Sequence, residues 1–252
     1  MYLKDRLAAG EPLIGAGIYS GSPDMLEYAA RGMDWVWWEC QHSHDNWQTI
    51  LHGVRTAYGM RVPALVRSWT DDGATLERLL DTGAEGIIVP MVDTPEQAEQ
   101  IVSRCYYPPL GNRSYGAIRM VSVEDDVAEW NKRIVTVMMV ETPRAVENAA
   151  AIAAVSGVDA LLLGSSDLTL RLGNAPRTHT SHGECQEEMA RVVEACRAAG
   201  KAAATITSSV EALEARLDEG FRLICAGMDL DHVKAGYQQM QAAFARITGD
   251  GE

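Results

Sequence analysis

No stretch of this chain is rich in lysine or arginine. With a formal net charge of −13, the surface field disfavours nucleic acid and anionic membranes as partners. An anionic substrate would have to be held against that field by particular arginines or by a metal. Cysteine is scarce as well. The five residues stand at 40, 105, 185, 196 and 225, an odd number without a CxxC pair. A disulfide framework and a cysteine zinc site are both disfavoured, and a reduced, cytoplasmic protein is expected. Long apolar runs are missing: nothing approaches the roughly 18 residues of a membrane span. The opening MYLKDRLAAGEPLIG meets glycine and proline too early for a signal peptide. GAGIYSG (15–21) fits neither GxGxxG nor a phosphate loop. No linker or low-complexity segment divides the chain, so residues 1–252 are expected to form one domain.

Apolar residues are plentiful, at 47%, and they fall into eight short runs. These are LIGAGIY (13–19), WVWWE (35–39), VPALVR (62–67), GIIVP (86–90), IVTVMMVE (134–141), ALLLG (160–164), AAATIT (202–207) and LICAGM (223–228). Each is nearly continuous in apolarity, as strands buried on both faces are. Helical spacing fills much of the rest, at 22–32, 74–83, 94–105, 143–155 and 185–200. Several of these segments end at glycine, a common helix stop. Eight such units in about 250 residues predict an α/β fold of the (β/α)8 TIM-barrel type, with a doubly wound sheet as runner-up. A last amphipathic helix, 231–247, is left to pack on the barrel or on a partner subunit.

Barrel chemistry sits at the carboxyl ends of the strands. WVWWECQHSHDNW (35–47) breaks from tryptophans into Glu39, Gln41, His42 and Asp45 at such an end. Arg67 ends the third run, Glu141 the fifth, and Gly164-Ser165-Ser166-Asp167 the sixth. Two carboxylates at neighbouring strand ends repel unless a proton or a cation lies between them. Oxygen donors with room for water and substrate suit Mg²⁺ or Mn²⁺. Two unrelated carboxylates, one capping a helix and one facing water, satisfy the spacing equally. Arg67 suits an oxyanion or a salt bridge. His42 suits a general base or an ordinary surface loop. Asp81 stands at a helix end and gains interest only if it reaches His42. His179 and His182 form a poor second metal site. The tryptophans read as core or interface first, with an aromatic substrate wall from 35–38 and Trp47 as the lesser reading. Thr205, Thr207 and Met228 are candidates for the substrate-tail pocket.

Taken together, WECQH (38–42), LVRSW (65–69), LLDTGAEGIIVPMVDTPEQA (79–98), YYPPLGNRSYG (106–116), VETPRAVEN (140–148) and GSSDLTLRLG (164–173) resemble the HpcH/HpaI family of metal-dependent pyruvate aldolases. The resemblance implies that Glu141 and Asp167 ligate a divalent metal, Mg²⁺ or Mn²⁺, with Co²⁺ as a further candidate. It implies that Arg67 contacts the keto oxygen, that His42 is the base and that Asp81 is its acidic partner. It gives Gly164, Ser165 and Ser166 the substrate carboxylate. It further implies a homohexamer with sites near subunit interfaces, a C-terminal helix exchanged between subunits, and a loop around Arg113 that acts on a neighbouring site.

The chain departs from the family pattern at three places. Glu39-Cys40-Gln41-His42 replaces the usual Asp-x-Glu-His, so Glu39 is one methylene longer and Gln41 lacks a charge beside the metal. Gly-Ser-Ser-Asp replaces Gly-Pro-Ala-Asp, and Met139 replaces a frequent Gln. The expected reaction is cleavage or formation of a 4-hydroxy-2-oxo acid through the enolate of pyruvate or hydroxypyruvate, with an aldehyde as the other fragment. Lysine occurs only at 4, 132, 201 and 234, and Lys201 precedes its strand, so a Schiff-base route is disfavoured. Two other readings stay open. One is a related lyase, synthase or decarboxylase acting on oxaloacetate or a CoA thioester. The other is a non-catalytic barrel that binds 2-oxo acids.

Overall fold

The computed structural model describes residues 1–124, 126–174, 185–207 and 209–248. His179 and His182 lie outside them. The eight runs form parallel strands β1 (Leu13–Ile18), β2 (Trp35–Glu39), β3 (Ala64–Arg67), β4 (Gly86–Val89), β5 (Val135–Val140), β6 (Ala160–Leu163), β7 (Ala202–Ile206) and β8 (Leu223–Met228). They close in sequence order, and β8 pairs with β1. With helices between the strands, this is a (β/α)8 barrel, as expected; the doubly wound alternative is excluded.

Continuous apolarity conceals a period of two, because both faces of each strand are buried. Leu13, Trp35, Trp37, Leu65, Val137, Met139, Leu162, Ala204 and Leu223 pack together inside the barrel. Val36, Trp38, Val66, Ile87, Met138, Leu161 and Ile224 face outward, under the helices. The crowded tryptophans therefore divide between two cores. Trp35 fits because Gly15 sits directly opposite it in the β1–β2 register; a Cβ at 15 would come within 2.4 Å of the indole. Trp38 fits under the helix Trp47–Met60, where a Cβ at Gly53 would come within 2.2 Å of its ring.

Capping explains the helix starts. Ser22, Asn46, Asp72, Thr94, Thr142 and Ser209 each accept a backbone N–H of the first turn, satisfying donors that have no partner within the helix. One expected helix, 143–155, is two: Pro143–Glu147 and Ala149–Ala154. At the break, the Asn148 side chain donates to the Asp93 carbonyl at 2.7 Å. A short N-terminal helix, Leu3–Ala8, sends Leu3 and Leu7 into the interior core. The C-terminal helix, Asp229–Thr248, does not pack on the barrel along its length. Leu230, Val233, Tyr237, Met240, Phe244 and Ile247 form an exposed apolar stripe, with Phe244 66% accessible. No helix of the described residues is long and apolar enough to cross a membrane. All five cysteines are buried thiols.

Candidate active site

Strand parity aims the polar residues. On β2, Trp35, Trp37 and Glu39 share the inward face; on β3, so do Leu65 and Arg67. The β2–β3 register sets Glu39 directly beside Arg67. The inward residues of β5 lead to Glu141, and those of β6 lead to Gly164. At the carboxyl end these side chains meet in a pocket of about 430 Å³ that Glu39, His42, Arg67, Glu141, Gly164, Ser165, Ser166 and Asp167 help to line.

Arg67 is the pocket's buried cation, 8% exposed. It lies 3.3 Å from Glu39 and 3.5 Å from Glu141, and its guanidinium carbon stands 5.8 Å from the Trp37 ring centre. Its Nε is buried without a hydrogen-bond partner. Glu39, fully buried, accepts from the Trp37 indole N–H at 3.0 Å and the His42 backbone N–H at 3.0 Å. Glu39 thereby orients both Arg67 and the turn that carries His42.

Glu141 accepts from the Met91 N–H at 2.9 Å. Met91 holds a left-handed backbone (φ 58°), which is uncommon without glycine. Gly164 leaves the space that Glu141 occupies: a Cβ there would lie 2.5 Å from its carboxylate. Burial raises the Glu141 pKa above its ordinary value; Arg67 and the Met91 N–H oppose this, while Asp167 and Glu39 add to it. Glu39 and Glu141 share one guanidinium and Asp167 lines the same pocket, an arrangement that favours a cation or a proton. Among the described residues, no three or more His, Cys, Asp or Glu side chains group as a metal cage. Glu141 and Asp167 both line the pocket and offer carboxylate oxygens of the kind that could hold a hard divalent cation.

His42 is exposed on the loop after β2, and its carbonyl accepts from the Tyr19 hydroxyl at 2.5 Å. Gln41 follows Glu39 on the same turn, and its Oε1 is buried without a partner. Asp81 does not line the pocket within one chain. It instead accepts from Arg113 at 2.7 Å, and Arg113 is buried over the Tyr107 ring. Thr205 and Thr207 also stay out of the pocket; the alternation that points Ala204 and Ile206 inward turns them away, and Ile206 takes the lining position. Met228 does line it. Of the tryptophans, only Trp37 reaches the pocket, while Trp47 stacks edge-on against Trp69 at 5.1 Å.

Sequence reasoning passed over Tyr19, Met91, Asp229, Leu230 and Asp231. Counting by twos from Leu13 reaches Tyr19. Asp229 is the first strong polar residue after β8, the same signal that marked Arg67 and Glu141. The Met91 turn left no signal in residue type.

A parallel eight-stranded barrel with an acidic, arginine-bearing pocket at its carboxyl end defines a class of enzymes rather than a single activity. The HpcH/HpaI aldolase/citrate lyase family model matches residues 18–235. A hydroxypyruvate/pyruvate aldolase of Delftia acidovorans is 34% identical over 97% of this chain and 90% of its own. A 2-keto-3-deoxy-L-rhamnonate aldolase of Salmonella schwarzengrund is 33% identical over 90% of this chain and 86% of its own. Among solved structures, an HpcH/HpaI aldolase from Desulfitobacterium hafniense superposes with a TM-score of 0.88 at 29% identity, covering 97% of each chain. The chain belongs to the HpcH/HpaI aldolase/citrate lyase family, and it is a carbon–carbon lyase of the aldolase kind.

Proposed function

We propose that this enzyme cleaves and forms 4-hydroxy-2-oxo acids through the enolate of pyruvate or hydroxypyruvate, with residues 1–252 acting as one barrel unit. The observation that supports this best is the convergence of Arg67, Glu141, Asp167 and His42 on one pocket. Glu141 and Asp167 suit a hard divalent cation such as Mg²⁺ or Mn²⁺, and Co²⁺ is a further fit. The excess of carboxylates over cations argues that such a charge belongs there. When bound, a divalent ion supplies Lewis-acid polarisation of the substrate's keto and carboxylate oxygens.

The chain's own residues do the rest. Arg67, held by Glu39 and Glu141, donates to the keto oxygen as negative charge develops on it. Backbone amides around Gly164, Ser165 and Ser166 receive the substrate carboxylate. His42 takes the proton of the C4 hydroxyl as the C3–C4 bond breaks, and returns it in synthesis. Asp81 serves His42 from a neighbouring copy of the chain, because within one chain it pairs with Arg113. That assignment requires a homo-oligomer, a hexamer by family resemblance. The uncovered stripe of the C-terminal helix supports such an assembly.

The test follows the methyl protons of pyruvate by NMR in D₂O, after EDTA and after restoring Mg²⁺ or Mn²⁺. Metal-dependent exchange is expected. Its absence with every metal, for hydroxypyruvate as well as pyruvate, would sink the reading. Light scattering checks the assembly: Phe244→Asp is expected to dissociate it, and a monomeric wild type would remove Asp81 from the reaction.

A further inference from the structure

The pocket has two chemically different parts. Its charged floor holds Arg67, Glu39, Glu141 and Asp167. The rim, on the side of β7, β8 and β1, is neutral and apolar: Tyr19, Ile206, Met228 and Leu230. Among the described residues, one charged side chain stands on that rim, Asp231. It is exposed, and its carboxylate has no ion pair or hydrogen bond among the described residues. Among the described residues of one chain, no lysine and no arginine other than Arg67 lines the pocket.

The rim is held in place. Asp229, only 4% exposed, accepts from the Tyr19 N–H at 2.8 Å and the Leu230 N–H at 2.9 Å, and also from the Ser20 hydroxyl. This clamp ties the first turn of the C-terminal helix to the end of β1. Tyr19 in turn donates to the His42 carbonyl. Tyr19, Leu230 and Asp231 therefore keep a set position relative to His42.

Resting on the aldolase reading above, we propose that the rim is the aldehyde subsite, that it takes an uncharged aldehyde, and that Asp231 excludes aldehydes bearing a carboxylate. The substrate's one carboxylate is accommodated on the floor. A second would have to leave water for an apolar wall that offers no lysine or arginine among the described residues, which is unfavourable. It would also face Asp231, and like charges brought together discriminate between partners. A neutral chain meets neither cost, and a hydroxyl on it could donate to Asp231.

The test uses pyruvate, Mg²⁺ or Mn²⁺, and two aldehydes of equal carbon number, butanal and succinic semialdehyde. The wild type is expected to show kcat/KM at least about tenfold higher for butanal. Asp231→Lys should shift the ratio toward succinic semialdehyde by about tenfold or more, with a larger shift at low ionic strength because the site is exposed. Asp231→Asn should shift it the same way by less. A wild type that prefers the anion, or an Asp231→Lys ratio equal to wild type, would overturn the proposal. Pyruvate methyl exchange by the wild type separates the two levels: exchange with the wrong preference refutes the subsite alone, whereas no exchange refutes the aldolase reading and the subsite with it.

Discussion

The two ends of the barrel treat charge in opposite ways. At the amino end, Lys4 reaches from the N-terminal helix to Asp159 at 3.1 Å, the Tyr106 hydroxyl at 2.7 Å and the Ile134 carbonyl at 3.0 Å. Asp159 also accepts from Tyr106 and from the Thr136 N–H. One cation and one carboxylate are shared among several partners, with Leu3 and Leu7 closing the base beneath them. At the carboxyl end, Arg67 is shared between Glu39 and Glu141, and Asp167 adds charge without a second lysine or arginine among the described lining residues. In a balanced pair the attraction offsets the cost of desolvation, whereas unbalanced burial costs stability and leaves a place for a ligand. In this fold the first belongs to the base and the second to the site.

The largest effect should come from disturbing the carboxyl end. Arg67→Ala is expected to lower metal-dependent methyl exchange by roughly 10²–10³-fold, the usual loss for a removed oxyanion donor. Exchange near the wild-type rate would end its assignment. His42→Ala should reduce aldol turnover by about 10²-fold or more with metal affinity intact; titration calorimetry with Mn²⁺ checks the second part. A collapse of affinity would make His42 a metal residue instead.

At the amino end the expected effect is on stability alone. Asp159→Ala leaves Lys4 without its counter-ion and the Thr136 N–H without the carboxylate it donates to, and should cost about 3 kcal/mol. For a chain of this size that lowers Tm by roughly 6–12 °C. Turnover per folded molecule should not change; a parallel loss would mean that the two ends are coupled.

Glu85 gives the smallest and most selective test, because it is the amino end's exception. Burial raises its pKa above the ordinary value of 4.5, and Arg133 opposes that only in part. A carboxyl with a raised folded-state pKa costs nothing below 4.5, where both states are protonated. Stability is then lost as pH rises from 4.5 toward the folded value, and is constant above it. Glu85→Gln should therefore raise stability at neutral pH, and the gain should vanish in acid. Thermal unfolding across pH decides it. A gain independent of pH would place the cause in packing rather than charge.

Much of this molecule was legible in one dimension. All eight strands appear where apolar runs stand, with ends within two residues, because burial on both faces leaves a compositional trace. Glu39, Arg67, Glu141 and Asp167 were visible as the first polar residues after buried strands. Parity was less visible: in a doubly buried strand both phases are apolar, so Thr205 and Thr207 looked as eligible for the pocket as Ile206. The helix Trp47–Met60 escaped notice beside its unusual loop. The N-terminal helix shows as a plug only when Leu3 and Leu7 are seen inside the barrel.

By itself, the amino-acid order determined the alternation of strand and helix, the barrel class and the kind of chemistry placed at the strand ends. Those properties depend on local periodicity and on residues close along the chain. Only the tertiary structure decided that Glu39 grips Trp37, His42 and Arg67 at once and that Met91 turns its N–H to Glu141. It also decided that Asp81 pairs with Arg113, and that Asp229 fixes a rim that carries Asp231. Each of these is a distance or a direction between distant segments, set by strand register and barrel closure, which no single stretch of sequence contains.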